Sequence, residues 1–256
     1  MADVDKLVKR CQNSTIKMRP VLPLGQPISI GAVGYLEDHA FRYLGTCETM
    51  LGLPPGQPLK GQGQPQFELV SGKDVHYSTH AEGQTSEAFG VIANANGAVE
   101  ISFDSDESFL IAARDVSVST MENPISLLQR MLDRFSVNAW KEEYCVVYEI
   151  GLAETYTSVI SQQSGSKLLL SADGSAGKGG LSLGQLAVGS RFEQQKGALD
   201  RLIAAHQVPA FFNAYKVRDR FFTGATTETA ASLGRHSSTD DIRRILGSTE
   251  SPFERV

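Results

Sequence analysis

The sequence predicts an α+β protein with a central twisted, mostly antiparallel sheet and flanking helices. Two stretches carry this prediction. Residues 87–104 alternate apolar with small or polar residues on both sides of Asn96-Gly97, which is the pattern of a β-hairpin with a tight turn. Residues 124–136 instead place apolar residues at helical spacing, directly after the helix-start pair Asn123-Pro124.

Composition narrows the classes of protein that remain. The chain has 256 residues, of which 41% are hydrophobic and 21% charged, as expected for a globular protein with a sizeable core. The net charge of −5 argues against nucleic acid as a partner. Cys11, Cys47 and Cys145 are far apart, which favours a reducing compartment over a disulfide framework. With no apolar run of 18 residues and no signal core, we expect a cytoplasmic protein.

The N-terminal segment is predicted to be a short amphipathic helix over residues 3–12, with an apolar stripe that includes Cys11. Five basic side chains lie in residues 1–20, and such a segment is suited to anionic lipid. The candidate lipid-binding residues are Lys6, Lys9, Arg10, Lys17 and Arg19. The alternative is a helix that packs on the body and exposes its basic face to solvent only.

The remaining patterns are mostly those of strands. We expect a strand at 28–36 with a hairpin partner at 41–44, one helical turn at 46–51, a loop at 52–66, a strand or strand pair at 67–77, and strands at 109–120 and 140–150.

The second half of the chain predicts a second hairpin. Its arms are 155–163 and 167–172, around Ser164-Gly165. We then expect a strand at 181–194, a helix at 198–205 and an aromatic strand or short helix at 210–222. Composition changes after Phe222, so the predicted organisation is one domain over 1–222 and a short, separable and regulatory tail over 223–256.

Motifs for chemistry are weak. The glycine-rich stretch 174–180 lacks the Lys-Ser/Thr pair of a phosphate-binding loop. His76 and His80 have zinc-like spacing, but no further ligands complete a site. No local signature supports a Cys/His enzyme. We therefore expect neither metal nor cofactor, and no enzymatic activity.

The order of these elements resembles the pore-forming domain of the gasdermin family. The most similar stretch is Met121–Ser161, where a leucine-bearing helix leads into EEYCVVYEI and then towards the second hairpin. VGYLEDHAFRYLG, residues 33–45, resembles the first strands of that domain. The resemblance covers residues 1–222.

The resemblance implies a compact member of the bacterial or fungal type, since only a short tail follows the domain. Bacterial members carry an acylated cysteine next to the initiator Met, whereas Ala2 and Asp3 stand here, which favours the fungal cell-death type. The implied function is membrane pore formation that kills cells, through binding of acidic phospholipid, oligomerisation with like or related subunits, and insertion of two β-hairpins per subunit. The implied trigger is a protease acting on the tail or a partner variant, and assembly moves the protein from the cytoplasm to the plasma membrane.

Six residues are predicted to face lipid in the two extendable hairpin regions, because each lies on the apolar side of its arm: Val91, Val99, Ile101, Val159, Leu168 and Leu170. The alternative function is that of a soluble α+β binding or regulatory protein without membrane activity. The third hypothesis is that the protein is an uncharacterised hydrolase.

Overall fold

A computed structural model describes residues 4–22, 25–71, 75–79, 98–106, 108–172, 190–196, 199–217 and 253–256. These residues form a sheet-rich α+β fold. The chain divides into two compact units. Unit 1 holds Met1–Pro20, Gln62–Ser117 and Leu152–Ala210, and unit 2 holds Val21–Gly61, Val118–Gly151 and Phe211–Val256.

Three helices occur within the described ranges, each where the sequence predicts one. They are α1 (Val4–Gln12), α2 (Cys47–Leu51) and α3 (Pro124–Ser136). The side chain of Asn123 accepts the Ser126 N–H at 3.4 Å, and Pro124 opens α3, so the predicted start signal is used. Thr46 caps α2 in a reciprocal pair with Thr49.

The strands of the described residues are β1 (Arg19–Pro20), β2 (Ala32–Glu37), β3 (Ala40–Thr46), β4 (Leu59–Lys60), β5 (Gln64–Val70), β6 (Val75–Thr79), β7 (Ala98–Phe103), β8 (Phe109–Thr120), β9 (Tyr144–Ser161), β10 (Ser166–Ala172), β11 (Ser190–Lys196), β12 (Leu199–Val217) and β13 (Phe253–Arg255). They form a nine-stranded and a four-stranded sheet. In the larger sheet β9 pairs with β8, β12 and β2, and β8 also pairs with β4 and β5. The smaller sheet has the order β11-β10-β7-β6.

Unit 2 has a core that joins helices α2 and α3 to the sheet. The apolar face of α3 contributes Leu127, Leu128, Met131 and Leu132. The strand pair β2–β3 is antiparallel, as predicted, and contains a bulge between Val33 and Gly34. Its turn places Asp38 and His39 at positive φ, the conformation that tight hairpins need.

Unit 1 contains α1 and the four-stranded sheet. Leu7, Val8 and Cys11 of α1 are buried, so the predicted apolar stripe is confirmed as the packed face of the helix. Among the described strands of this unit, β5 pairs with β8, while β6, β7, β10 and β11 form the smaller sheet.

The predicted second hairpin is wrong in its pairing. Its arms correspond to the end of β9 and to β10, but among the described residues these strands share no ladder. β9 lies in the larger sheet, and β10 pairs with β7 on one edge and β11 on the other. Both edges of β10 are therefore occupied. Ser164-Gly165 connects two sheets rather than two arms of one hairpin, and local turn chemistry cannot distinguish these two uses.

The helix predicted at 198–205 is also wrong, because these residues form the first part of β12. Pairing of β12 along the larger sheet overrides the local helical pattern. The two strands predicted within 67–77 are present as β5 and β6, but they pair with β8 and β7. The predicted loop 52–66 holds β4 and the start of β5, and the strand predicted at 140–150 starts at Tyr144 and extends to Ser161.

Two predictions fall largely outside the described residues. Asn96-Gly97, the predicted turn of the first hairpin, lies there, as do residues 223–252 of the predicted tail. The pairing predicted across that turn is wrong, because the described second arm, β7, pairs with β6 on one edge and with β10 on the other. The last residues are described: β13 pairs with the end of β12.

Candidate functional site

The four strands of the smaller sheet are each continued by a strand of the larger sheet. β6 follows β5, β7 precedes β8, β10 follows β9, and β11 precedes β12. The order is also the same in both sheets: β6-β7-β10-β11 in the smaller sheet and β5-β8-β9-β12 in the larger one. We call β6, β7, β10 and β11 the four arms. Each arm is adjacent in sequence to one of four neighbouring strands of the larger sheet.

The central pair keeps one register through the connection. Phe103 of β7 pairs with Ser166 of β10. Five residues further along one strand and five back along the other, the Ser161 N–H donates to the Ser108 carbonyl at 2.7 Å. Thirteen residues beyond, the Met121 N–H donates to the Tyr148 carbonyl at 2.7 Å. No residue is inserted or omitted between the two sheets along this pair.

Short hydrogen bonds tie the two central connections together. The Gly165 N–H donates to the Phe103 carbonyl at 2.8 Å. Ser164 Oγ donates to the Asp104 carbonyl at 2.6 Å. The Asp104 carboxylate lies 2.8 Å from His76 Nε2 of β6. Three of the arms thus meet at one place by main-chain and side-chain bonds.

The arms have an apolar and a polar side. In the register, Ile101 pairs with Leu168 and Val99 with Leu170, so all four predicted positions lie on one side of the sheet. Ile101, Leu168 and Phe103 on this side are fully buried, and Val75 is 8% exposed. His76 and Lys167, at alternate positions on the other side, are exposed.

Val159 lies elsewhere than the hairpin prediction placed it. It is fully buried in β9. Leu168 lies in β10 of the smaller sheet, so Val159 and Leu168 are not neighbours across a hairpin. Val91 lies outside the described residues.

The second half of β9 buries polar groups. Thr157, Ser158 and Ser161 are fully buried, and Tyr156 is 2% exposed. Burial, together with the nearby Cys11 thiol, raises the pKa of the Tyr156 hydroxyl well above its ordinary value. Thr157 Oγ1 has no hydrogen-bond partner among the described residues. A buried hydroxyl in this position costs stability.

The predicted lipid-binding residues divide into two groups. Lys6, Lys9 and Lys17 are exposed. Arg10 is half-buried: its guanidinium donates to the Ser71 carbonyl and lies 5.9 Å from the centre of the Phe109 ring. Arg19 is only 8% exposed. The sequence shows five positive charges, but only contacts in the fold distinguish the three exposed ones.

Cys11, Cys47 and Cys145 are all buried. Burial raises the pKa of Cys11 to about 12 and that of Cys47 above its ordinary value. Within the described ranges, no cluster of three His, Cys, Asp or Glu residues is arranged to hold a metal ion. No described helix is both long and apolar enough to cross a membrane.

Sequence reasoning missed the continuity of the arms with the long strands, and it missed the connections at 104–108 and 162–165. The available signal was the length of the alternating pattern: period two resumes on both sides of these short polar stretches. If the strands on either side of 104–108 and 162–165 are taken as continuing, the pattern predicts connections between two sheets. Read as turns, the same stretches predict separate hairpins.

Comparison with known proteins gives a structural likeness but no match in sequence. No protein-family model matches the sequence, and no curated protein matches it. Among solved structures, the chain is similar to the cryo-EM structure of the Gasdermin A3 membrane pore, with 12% identity over 84% of this chain and 88% of that chain, at a TM-score of 0.28.

Proposed function

We propose that the protein forms membrane pores by straightening the four arms into one membrane-spanning sheet per subunit. The single observation that carries this proposal is the continuity of the arms with four neighbouring long strands, in the same order and, for the central pair, in one register. Straightening therefore needs no exchange of strand partners and no slip of the central ladder.

The length of the arms determines how many further residues must rearrange for the sheet to cross a bilayer. The arms have five to seven described residues each, whereas a tilted strand needs about 9–11 to cross a bilayer. Each arm must recruit further residues from its own connection or long strand. For β10, the four residues 162–165 of its connection already bring the arm to this length. If the end of β9 straightens as well, the buried hydroxyl of Thr157 moves with the arm.

The two sides of the arms support opposite environments. The side of Ile101 and Leu168 would face lipid, and the side of Lys167 would face water in the pore. By the same alternation Thr157, Val159 and Ser161 join the lumenal side, where the hydroxyls find water. A basic side chain facing lipid at mid-depth would instead cost about 2–4 kcal/mol.

Ring closure follows from the number of arms. All ladders of the smaller sheet are antiparallel, and its outer strands are β6 and β11. With four alternating strands, β11 of one copy runs antiparallel to β6 of the next copy. Copies can therefore add edge to edge until the sheet closes, which satisfies every backbone group in the hydrocarbon core.

The exposed lysines Lys6, Lys9 and Lys17 would make the first contact with acidic phospholipid. The resulting activity is permeabilisation and death of the cell, by oligomers of this chain or of this chain with a related subunit. Subunits would be cytoplasmic before assembly and at the plasma membrane after it. The proposal needs no catalytic step and no cofactor.

Dye release tests the proposal. The purified protein is added to vesicles of phosphatidylcholine alone and of phosphatidylcholine with phosphatidylserine, each loaded with a self-quenched dye. We expect release from the acidic vesicles only, with ring-shaped oligomers by electron microscopy. No release from either vesicle, before and after proteolysis of the tail or mixing with a related subunit, would refute the pore and favour a soluble binding protein.

A further inference from the structure

The outer pair of strands in unit 1, unlike the central pair, changes register between the two sheets. In the larger sheet, the Ser71 N–H donates to the Phe109 carbonyl at 2.9 Å, in register with the ladder of β5 and β8. In the smaller sheet, Val75 of β6 pairs with Phe103 of β7. From Ser71 to Val75 the chain advances four residues, whereas from Phe103 to Phe109 it advances six. The outer pair is therefore offset by two residues between the two sheets.

A side chain of α1 alters the ladder at this same point. In an antiparallel pair of this kind, the Phe109 N–H would donate to the Ser71 carbonyl in return. That carbonyl instead accepts from the Arg10 guanidinium, and the Phe109 N–H donates to the Ser71 hydroxyl at 3.0 Å. Two side-chain bonds thus replace the reciprocal backbone bond, and one of them belongs to Arg10.

Further contacts within unit 1 hold Arg10 at this place. Its guanidinium lies 5.9 Å from the centre of the Phe109 ring, and the apolar face of α1 is buried. Just after the helix, Thr15 Oγ1 donates to Gln64 Oε1 at 3.3 Å, and Gln64 Nε2 donates to the Thr15 carbonyl at 3.1 Å. Because Gln64 begins β5 and Ser71 directly follows it, α1 and the segment after it contact both ends of this strand.

We propose that Arg10 is the positioning residue of arm β6: its guanidinium withdraws the Ser71 carbonyl from the ladder, ends β5 there and holds β6 at its two-residue offset. Without the guanidinium, the carbonyl can accept the Phe109 N–H, and the ladder of β5 and β8 can extend. An even offset leaves every side chain on its own side of the sheet, so the assigned sides of the arms are kept. The inference rests on the proposed function in its last step only, that extension of β5 straightens β6.

Hydrogen exchange of the Phe109 amide, measured by NMR without a membrane, tests the contact itself. Ser71→Ala removes the hydroxyl that accepts from this amide, so we expect exchange at least about fivefold faster, since one hydrogen bond is lost. Ser71→Thr keeps a hydroxyl and is the matched control, with an expected change below about twofold. In an Arg10→Met background the freed carbonyl takes over, so Ser71→Ala should change the rate by less than about twofold. An unchanged rate in the Ser71→Ala protein, or the same increase in both backgrounds, would overturn the proposal.

Dye release from acidic vesicles separates positioning from simple packing. Arg10→Met keeps an unbranched side chain near Phe109 but removes the donors. Arg114→Met is the matched control, because Arg114 is also a half-buried arginine of unit 1, bound to Asp115 at 3.4 Å. Per vesicle-bound protein, we expect Arg10→Met to release dye at least about threefold faster than wild type, since a bond that opposes straightening is gone. Arg114→Met should release dye at the wild-type rate.

Slower or unchanged release by Arg10→Met, from vesicles that the wild type permeabilises, would overturn the positioning role. If the wild type itself releases no dye, the proposed pore fails instead, and the exchange rate of the Phe109 amide alone then decides whether Arg10 ends β5.

Discussion

Gly34 lies at the bulge of the β2–β3 pair, where the neighbouring strand leaves no room for a side chain. An added Cβ would lie 2.2 Å from the Arg42 carbonyl oxygen and 2.7 Å from Phe41 Cζ. The oxygen belongs to a paired backbone and cannot withdraw without breaking the ladder. The residue is thus fixed by a close approach of two strands.

We predict that Gly34→Ala lowers the free energy of unfolding by about 1–3 kcal/mol, the usual cost of overpacking. Denaturant unfolding followed by circular dichroism measures it. Gly52→Asn is the matched control: Gly52 has φ of 71° and nothing described within 4 Å of an added Cβ, and Asn tolerates this conformation. Equal stability of both variants would show that the strands do not approach this closely.

A substitution at Thr157 should change the free energy of unfolding in the opposite direction. Its hydroxyl is buried without a described partner, so Thr157→Val should raise the free energy of unfolding by about 1 kcal/mol and Tm by about 2–4 °C. If the hydroxyl serves a lumenal position, the same variant should release dye more slowly. Ser161→Ala is the control, because Ser161 Oγ donates to the Gln163 carbonyl at 2.7 Å and its loss should destabilise. A Thr157→Val protein less stable than wild type would contradict the assignment.

The basic side chains of helix α1 differ in their surroundings. Its buried stripe packs in unit 1, and Arg10 holds the end of β5 and the start of β8 through Ser71 and Phe109. Lys6 and Lys9 project from the helix into solvent, and Lys17 follows it. A test of lipid binding should therefore leave Arg10 unchanged, since reversing it would also disturb packing.

We predict that reversing Lys6, Lys9 and Lys17 to Glu weakens binding to acidic vesicles by about a hundredfold or more, at about 1 kcal/mol for each lysine near the surface. Vesicle co-sedimentation at low and high salt measures this. Reversal of three exposed cations of unit 2, Lys60, Arg130 and Lys141, serves as the matched control and should have little effect. A similar loss in both triple variants would indicate net charge rather than a specific face.

At the scale of the whole molecule, the proposed pore requires that one defined side of the arms faces the water-filled lumen. Lys167 is exposed and alternates with the buried Leu168. In a closed ring one such lysine per subunit would line the lumen, where its charge acts directly on passing ions.

We predict that Lys167→Glu shifts the pore toward cations, seen as a changed reversal potential in planar bilayers under a KCl gradient. Lys141→Glu, a reversal on an exposed residue of unit 2, should leave the potential unchanged. Conductance without any shift in the Lys167→Glu pore would place this residue outside the lumen and overturn the assigned sides.

Much of the local structure is determined by the sequence alone. The three helices follow from apolar spacing and from caps such as Asn123-Pro124, and the β2–β3 pair follows from alternation around a short polar turn. The apolar positions of the arms follow as well, because alternation in a strand is a property of the backbone. Ile101 and Leu168 are directly opposite each other in the register of β7 and β10, so they lie on the same side of the sheet.

Only the tertiary structure decided which strands pair. Ser164-Gly165 reads as a hairpin turn, yet β9 and β10 enter different sheets, because neighbours from distant parts of the chain occupy the edges of both strands. The same pairing makes 199–205 a strand and places Val159 and Leu168 in different sheets. Contacts in the fold also separate Arg10 and Arg19 from the exposed lysines. Alternation fixes the two sides of each strand, but strand neighbours and the resulting register depend on contacts far apart in sequence, which no local pattern records.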